Sequence, residues 1–387
     1  MGIFLTILLA SMLSGVVGGV TIATGAYIYL HDIVLAFGLL YFFVLDSQRK
    51  KIRIPKLGTH ILLFVSFALL SLIVNSARYP IQSLLSGSLY LVRWVFYSLF
   101  YVLLIQNRLP LKQVFLKLFQ FGCAFGILGV LQFALYPDLR FLLYLGWDPH
   151  YYRLFSTVLD PNFAGILLVL SVLLGYYLYS LDHKSEYLLL GLFLAVCVYL
   201  TYSRSSYIAL AAGIVSIAVL QKQWRALLGL AIFLTCVLVI PRPGGNTLNL
   251  LRADSTLSRL SNWGYSFQLF MQSPVLGHGF NMLRFIQTKP TSDPNTFVSH
   301  AAAGVDSSIY FLLITSGMFG FSSYVYLLYS AVAFRKKNGK IEGVRVLYQS
   351  SMTAIVVHSL FVNSLFYPWV LLWIWVLISA IELTYDR

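Results

Sequence analysis

The sequence predicts an all-α integral membrane protein, folded as a single polytopic domain over residues 1–387 with about 12 transmembrane helices. Of the 387 residues, 59% are hydrophobic and only 10% are charged, and the mean hydropathy is +0.80. Such a composition indicates that lipid is the solvent for most of the protein surface. Because helices in lipid are held by packing and by internal hydrogen bonds, one membrane domain is the expected organisation.

Twelve apolar runs are read as spans of a hydrocarbon layer about 30 Å thick. They cover residues 4–20, 27–45, 61–74, 84–105, 114–135, 163–179, 187–202, 207–220, 226–240, 309–333, 346–361 and 369–381. Glycines at Gly15, Gly18, Gly19 and Gly25 interrupt the first two. The first run is expected to be a retained span, because no basic segment of a signal peptide precedes it.

The positive charges predict the orientation of the chain. Lys and Arg cluster in the connectors after spans two, four, eight and ten, and basic connectors stay in the cytoplasm. Both termini are therefore expected in the cytoplasm. The longest connector, residues 241–308 between spans nine and ten, is expected to be a large periplasmic or extracellular loop that carries part of an active site.

Charge and cysteine usage exclude several classes of function. The net charge of +14 is explained by the basic connectors, so a nucleic-acid partner is not required. Cys123, Cys197 and Cys236 all lie in apolar runs without motif spacing, which argues against a disulfide framework or a metal site. No phosphate-binding or dinucleotide-binding glycine motif is present, and no cofactor is expected.

Several cations break the orientation pattern, because they fall in connectors that face outward. They are Arg140, Arg153, Arg204, Arg242, Arg252, Arg259, Arg284 and Lys289. A phosphorylated ligand would explain them, since guanidinium groups fork onto phosphate oxygens and remain charged. Contacts with lipid headgroups or with loop carboxylates are the alternative explanation for any single arginine.

Arg204 lies in the outer turn between spans seven and eight, within Thr201-Tyr202-Ser203-Arg204-Ser205-Ser206. An arginine so close to membrane depth is costly unless it is paired. We interpret it as a diphosphate clamp with Ser203 and Ser205 as auxiliary donors; an arginine that extends to the membrane surface is the alternative.

The segment Asp160-Pro161-Asn162 directly precedes span six, where an acidic or amide side chain caps a helix and its N-terminal end attracts an anion. Arg153 lies shortly upstream, so Arg153 and Asn162 are candidates to hold substrate at that helix end. Helix capping alone is the alternative explanation.

Candidates for proton transfer lie near the end of the long connector. A sugar hydroxyl that attacks an anomeric carbon needs a general base within hydrogen-bonding distance. His300 and Asp306 are favoured over His150 and His278, because they close the connector just before span ten. A lone histidine is more often structural than catalytic.

Four groups of residues together resemble the family of bacterial O-antigen ligases and O-antigen or exopolysaccharide polymerases. The first is Arg153 to Thr157 followed by Asp160 to Gly165, and the second is Tyr202 to Ser205. The third is Arg259 to Trp263 followed by Ser273 to Gly279, and the fourth is Asp306 to Ser308 with Gly317 and Gly320 downstream. Each motif is weak alone, but the four occur in the family's order.

The resemblance implies a helical membrane fold of the glycosyltransferase C type, a donor glycan on undecaprenyl diphosphate, and inverting transfer without a metal. Its ligase branch has histidine followed by asparagine where this chain has Asp306-Ser307. Either Asp306 is the base, or His300 takes that role, or the chain lies on the polymerase side.

The predicted function is therefore transfer or polymerisation of a lipid-linked glycan at the outer face of the cytoplasmic membrane. Arg204 and Arg259, with Arg153, would hold the diphosphate, and a glycan or a lipid-core sugar would be the acceptor. A transporter or flippase for the same lipid-linked glycan is the alternative, although the sequence lacks the paired halves typical of transporters.

Overall fold

The computed structural model describes residues 1–23, 26–46, 53–145, 147–240, 254–287, 304–333 and 343–385. The helices in these ranges are α1 Gly2–Leu13, α2 Leu30–Tyr41, α3 Gly58–Val74, α4 Ile81–Asn107, α5 Leu111–Leu135, α6 Pro161–Asp182, α7 Ser185–Leu200, α8 Arg204–Gln221, α9 Arg225–Val239, α10 Asp254–Gln272, α11 Leu283–Gln287, α12 Ser308–Val332, α13 Gly343–Ser359 and α14 Pro368–Tyr385. Strands β1 Gly19–Ala23 and β2 Ala26–Tyr29 form an antiparallel hairpin.

The helical membrane architecture predicted from hydropathy is confirmed. Within the described ranges, six helices are long and apolar enough to cross a bilayer, namely α4, α5, α6, α8, α12 and α14. Five shorter apolar helices of 10–17 residues accompany them. Each of the 12 apolar runs overlaps a helix, whereas the number of spans and the sidedness of the long connector remain predictions.

The first two predicted spans differ from the structure. Helix α1 ends at Leu13 instead of continuing to Val20, and residues 19–23 and 26–29 form the paired strands. The chain turns at Gly15, whose φ is 60° and whose α-hydrogen faces the backbone of Thr157 so closely that a side chain would collide with it. A 12-residue helix is about 18 Å long, which is shorter than the hydrocarbon layer.

Helix α14 is the centre of the bundle. All residues from Pro368 to Leu383 are buried, including Trp369, Trp373 and Trp375. Burial on every side means that other elements enclose α14, and it packs against α4 and α13. The indole N–H of Trp369 donates to the carbonyl of Met12, 2.9 Å away, and thereby connects α14 to the end of α1.

Two acidic side chains inside the bundle have partners on other elements. The half-buried Asp32 of α2 pairs with Arg93 of α4 at 2.8 Å, and Arg93 also donates to the carbonyl of Tyr27. Near the other end of the bundle, Glu382 accepts from the hydroxyl of Tyr101 and, at 3.2 Å, from the amide of Lys56.

Helix α12 is broken at Gly317, where φ is 65° and ψ is −169°. Residues 273–279, which belong to the third sequence motif, form a turn whose backbone hydrogen-bonds to the helix on both sides of this break. The amide of His278 donates to the carbonyl of Ile314 at 2.8 Å, and the amide of Met318 donates to the carbonyl of Pro274 at 2.8 Å. A helix break at membrane depth is tolerated where neighbouring groups satisfy the freed backbone in this way. The third and fourth sequence motifs are thus in direct contact.

Candidate functional site

A polar cavity of about 440 Å³ lies where the ends of several helices meet. Its wall includes residues 304–306 shortly before α12, the N-terminal ends of α6 and α11, and the connector between α13 and α14. Besides several hydroxyl groups, the polar lining includes the carboxylates Asp148, Asp160 and Asp306, the guanidinium of Arg284, and the amides Asn162, Asn281 and Asn363. Concave sites with a few converging polar groups are where ligands bind in proteins.

Asp306 lies in the cavity wall and is exposed, directly before the N-cap residue Ser307 of α12. The amide of Asn262, on α10, donates to a carboxylate oxygen of Asp306 at 3.4 Å. The neighbouring residue Trp263 packs its ring against Tyr310 and Phe361, with ring centroids 6.4 and 6.2 Å away. Helix α10 is thereby held against α12, and Asp306 lies in the cavity wall beside α10.

Asn162 also lines the cavity, and a buried chain of hydrogen bonds fixes its side chain. Its carbonyl oxygen accepts from the hydroxyl of Ser203 at 2.8 Å, and Ser203 contacts the hydroxyl of Ser205 at 3.0 Å. Ser205 contacts Nε2 of His358 at 3.3 Å, and Nδ1 of His358 contacts the hydroxyl of Ser364 at 3.1 Å. Ser203 and Ser205 are both buried and do not line the cavity.

This hydrogen-bond network continues towards Asp306. The hydroxyl of Ser364 contacts that of Ser359 at 3.0 Å, and the hydroxyl of Ser307 donates to the carbonyl of Ser359 at 3.2 Å. His358 is fully buried at the centre of the network. It therefore connects the start of α8 to the connector after α13, and it does not line the cavity.

Arg153 is buried and directs its guanidinium at the turn that precedes α8. Its Nε donates to the carbonyl of Thr201 at 2.9 Å, and its Nη2 donates to the carbonyl of Tyr202 at 3.2 Å. Arg204 is the first residue of α8 and is half-buried, behind the N-cap Ser203. Neither arginine is among the described residues that line the cavity.

The other two predicted site residues lie partly or wholly outside the described residues. Arg259 belongs to α10, but its side chain is outside the described part of the chain. His300 falls in residues 288–303, which are also outside it. Diphosphate binding by Arg259 and the action of His300 as a general base remain predictions.

Arg284 is the guanidinium that the structure brings into the cavity, and it was not selected as a site residue from the sequence. It belongs to α11, which follows the turn at residues 273–279. Between them, Asn281 has a φ of 58° and also lines the cavity. The sequence feature that could have identified Arg284 is its place in an outward-facing connector, a few residues after the motif segment 273–279.

The acidic rim of the cavity contains one group that could hold a metal ion. The ligand atoms of Asp148, His150 and Asp160 lie within 4.8 Å of one another. Asp160 also caps α6 by accepting from the amides of Asn162 and Phe163, at 2.7 and 3.0 Å. Burial raises the pKa of Asp160, although these amides and the charge of Arg153 oppose the rise. The expectation of a metal-independent reaction stays a prediction.

His278, one of the weaker proton-transfer candidates, has a structural position. It is buried, and its Nε2 lies 2.9 Å from the carbonyl of Leu269 at the end of α10. Its backbone is part of the contact with the broken helix α12. Among the acid and base candidates that the structure describes, Asp306 is therefore the one that is both exposed and part of the cavity wall.

Residues 189–325 match a family model described as O-antigen ligase. This match supports the resemblance to the O-antigen ligase and polymerase family. The matched region covers about a third of the chain and contains three of the four sequence motifs, while the motif at residues 153–165 precedes it. No curated protein matches the chain. The resemblance inferred from the motifs is confirmed.

The match to the O-antigen ligase model supports glycan transfer by a membrane glycosyltransferase-like enzyme that acts on lipid-linked glycans. The matched region includes the turn at Ser203, the whole of α10, and the break at Gly317 with Asp306 before it. It also includes Arg284, so both the exposed carboxylate and the guanidinium of the cavity are within the O-antigen ligase match.

Replacing Arg153 with alanine is expected to destabilise the protein, because the buried carbonyls of Thr201 and Tyr202 would lose their donor. Each buried unsatisfied group costs about 1–3 kcal/mol. The midpoint of thermal unfolding in detergent should fall by several degrees. Arg140→Ala is the control, because its partner Asp138 is exposed and such pairs contribute little. An unchanged midpoint for Arg153→Ala, together with lost donor binding, would contradict the structural role.

Proposed function

We propose that the protein transfers or polymerises a glycan carried on undecaprenyl diphosphate, at the outer face of the cytoplasmic membrane, with inversion and release of the lipid diphosphate. The observation that supports it most directly is the position of Asp306. This carboxylate is exposed in a 440 Å³ cavity, and it occupies the start of the loop-closing motif within the O-antigen ligase match.

In this proposal Asp306 is the general base. An acceptor hydroxyl, from another glycan or from a lipid-linked core sugar, attacks the anomeric carbon of the donor while its proton passes to the Asp306 carboxylate. The new carbon–oxygen bond forms as the bond to the diphosphate oxygen breaks, and the diphosphate leaves with the electron pair. The amide of Asn262, 3.4 Å from the carboxylate, orients Asp306 for this step. His300 is the alternative base.

The leaving diphosphate gains negative charge in the transition state and is stabilised by positioned cations. We assign this role to Arg204 and Arg259, as the motifs imply, and add Arg284 because it lines the cavity. Arg153 supports them indirectly, since it already holds the turn that carries Arg204.

Asn162 and the two serines contribute differently to the proposed site. Asn162 is in the cavity wall and is suited to contact substrate directly. Ser203 and Ser205 are buried behind it, and the hydrogen bond from Ser203 fixes the amide of Asn162. We therefore propose that the serines position Asn162.

Replacing Asp306 with asparagine is expected to reduce transfer by about 10²–10⁴-fold, the usual contribution of a general base. The donor should still bind, because the amide keeps the shape of the side chain. Transfer from an undecaprenyl-diphosphate oligosaccharide by the reconstituted protein measures the effect. Asp138→Asn is the matched control, since Asp138 is exposed beside Arg140 and does not line the cavity. Full activity of Asp306→Asn would exclude Asp306 as the base and direct the search to His300.

Replacing Arg204 and Arg259 together with alanine is expected to abolish transfer and to leave membrane insertion intact, because the leaving diphosphate loses its main cations. The same reconstituted assay, combined with a thermal unfolding midpoint, separates catalysis from folding. Arg78→Ala is the control, because Arg78 is an exposed arginine outside the motifs and the cavity. Full activity of the double variant would contradict the diphosphate clamp.

A further inference from the structure

A second, smaller space of about 160 Å³ adjoins the polar cavity, and we call it the aromatic chamber. It shares six lining residues with the cavity: Tyr29, Tyr90, Asn281, Phe311, Asn363 and Tyr367. Half of its remaining lining residues are aromatic, namely Trp94, Phe280 and Phe366. The chamber is therefore a side space of the candidate site, with aromatic walls and two asparagines at its mouth.

Two polar atoms in the shared wall have no hydrogen-bond partner among the described residues. They are the side-chain carbonyl oxygen of Asn363 and the hydroxyl of Tyr367, and both atoms are buried. More than nine in ten buried polar groups are hydrogen-bonded, so such exceptions need an explanation. Leaving each atom unsatisfied costs free energy that a ligand with matching groups recovers on binding.

The segment that carries these atoms is held rigidly. The ring of Tyr367 stacks on Phe163, with centroids 3.9 Å apart and planes at 14°, and it also contacts Trp369. The amide of Leu365 donates to the hydroxyl of Ser308 at 3.1 Å. Asn363 and Tyr367 thus present their polar atoms at fixed positions, which is the preorganisation that specific recognition requires.

The chemistry of the chamber excludes two parts of a lipid-linked glycan. An isoprenoid tail has no polar group to satisfy Asn363 or Tyr367. A diphosphate offers only acceptor oxygens; these could accept from the hydroxyl of Tyr367 but would leave the acceptor oxygen of Asn363 unsatisfied. Arg93 also lines the chamber, but its charge is already neutralised by Asp32 at 2.8 Å. The remaining part, a sugar ring, has hydroxyls to donate and apolar faces for the aromatic walls.

We propose that the aromatic chamber binds one sugar ring of the lipid-linked glycan, and that Asn363 and Tyr367 hydrogen-bond its hydroxyls. This inference rests on the function proposed above. The chamber volume of 160 Å³ is about five times the roughly 30 Å³ that one water occupies in the liquid. That space suits a single monosaccharide ring rather than a longer glycan, so the chamber selects the sugar that enters it.

The test compares binding of lipids with and without a sugar by the full-length protein in nanodiscs, measured by native mass spectrometry. The probes are undecaprenyl diphosphate and a panel of undecaprenyl-diphosphate-linked hexoses and N-acetylhexosamines. Wild-type protein should bind at least one sugar-bearing lipid more tightly than the sugar-free lipid. Asn363→Leu and Tyr367→Phe should each reduce that preference by about three- to tenfold, with sugar-free lipid bound as before.

Tyr176→Phe is the matched control, because it also removes one tyrosine hydroxyl, but from a residue that bonds Gln221 and lines neither space. Should Asn363→Leu fail to fold, Tyr367→Phe, which removes a single atom, still decides the question. If the folded variants keep the wild-type preference for sugar-bearing over sugar-free lipid, the sugar subsite is overturned, but the proposed function is not. Wild-type protein that binds none of the lipids would overturn the proposed function as well.

Discussion

The backbone contact between the turn at residues 273–279 and the break in α12 at Gly317 fixes the geometry of the candidate site. Gly277 and Gly317 approach so closely that a side chain at either would collide with the opposing backbone. The amide of Gly279 donates to the carbonyl of Thr315, 3.1 Å away. Because Asp306 precedes α12 and Arg284 follows the turn, this one contact sets the positions of the exposed carboxylate and of the guanidinium in the cavity wall.

A second buried constraint is the hydrogen-bond network around His358. It connects Asn162 at the start of α6, the serines at the start of α8 and the connector after α13. Polar networks at low dielectric are strong when fully satisfied and costly when broken. The hydroxyl of Ser206 donates to that of Ser203 at 2.9 Å, and Ser206 also lies directly against Gly165 of α6, so that α6 and α8 approach closely. Neighbouring serines at the start of α8 therefore serve helix packing and the alignment of the cavity wall.

Much of the architecture could be predicted from hydropathy, because long apolar runs have few alternatives to helices in lipid. The pairing of strands β1 and β2 could not, since the turn at Gly15 that precedes them lies against the distant backbone of Thr157. The site was predictable in part. Asp306 and Asn162 do share a cavity, but sequence gives no side-chain direction, and Arg153 proved to bind carbonyls at residues 201 and 202. Asn363 and Tyr367 belong to none of the four motifs, and only their unsatisfied polar atoms in the structure identify them as candidate binding residues.

The central claim is that the cavity is a site of glycan transfer from a lipid diphosphate. The most direct measurement is a reconstituted assay of the purified protein with an undecaprenyl-diphosphate oligosaccharide, alone and with a lipid-core acceptor, resolved on a gel. A ladder from the donor alone is predicted for a polymerase, and a single shift that requires the core acceptor is predicted for a ligase. Folded protein that gives no product under either condition would contradict the account and favour a transporter of the same lipid-linked glycan.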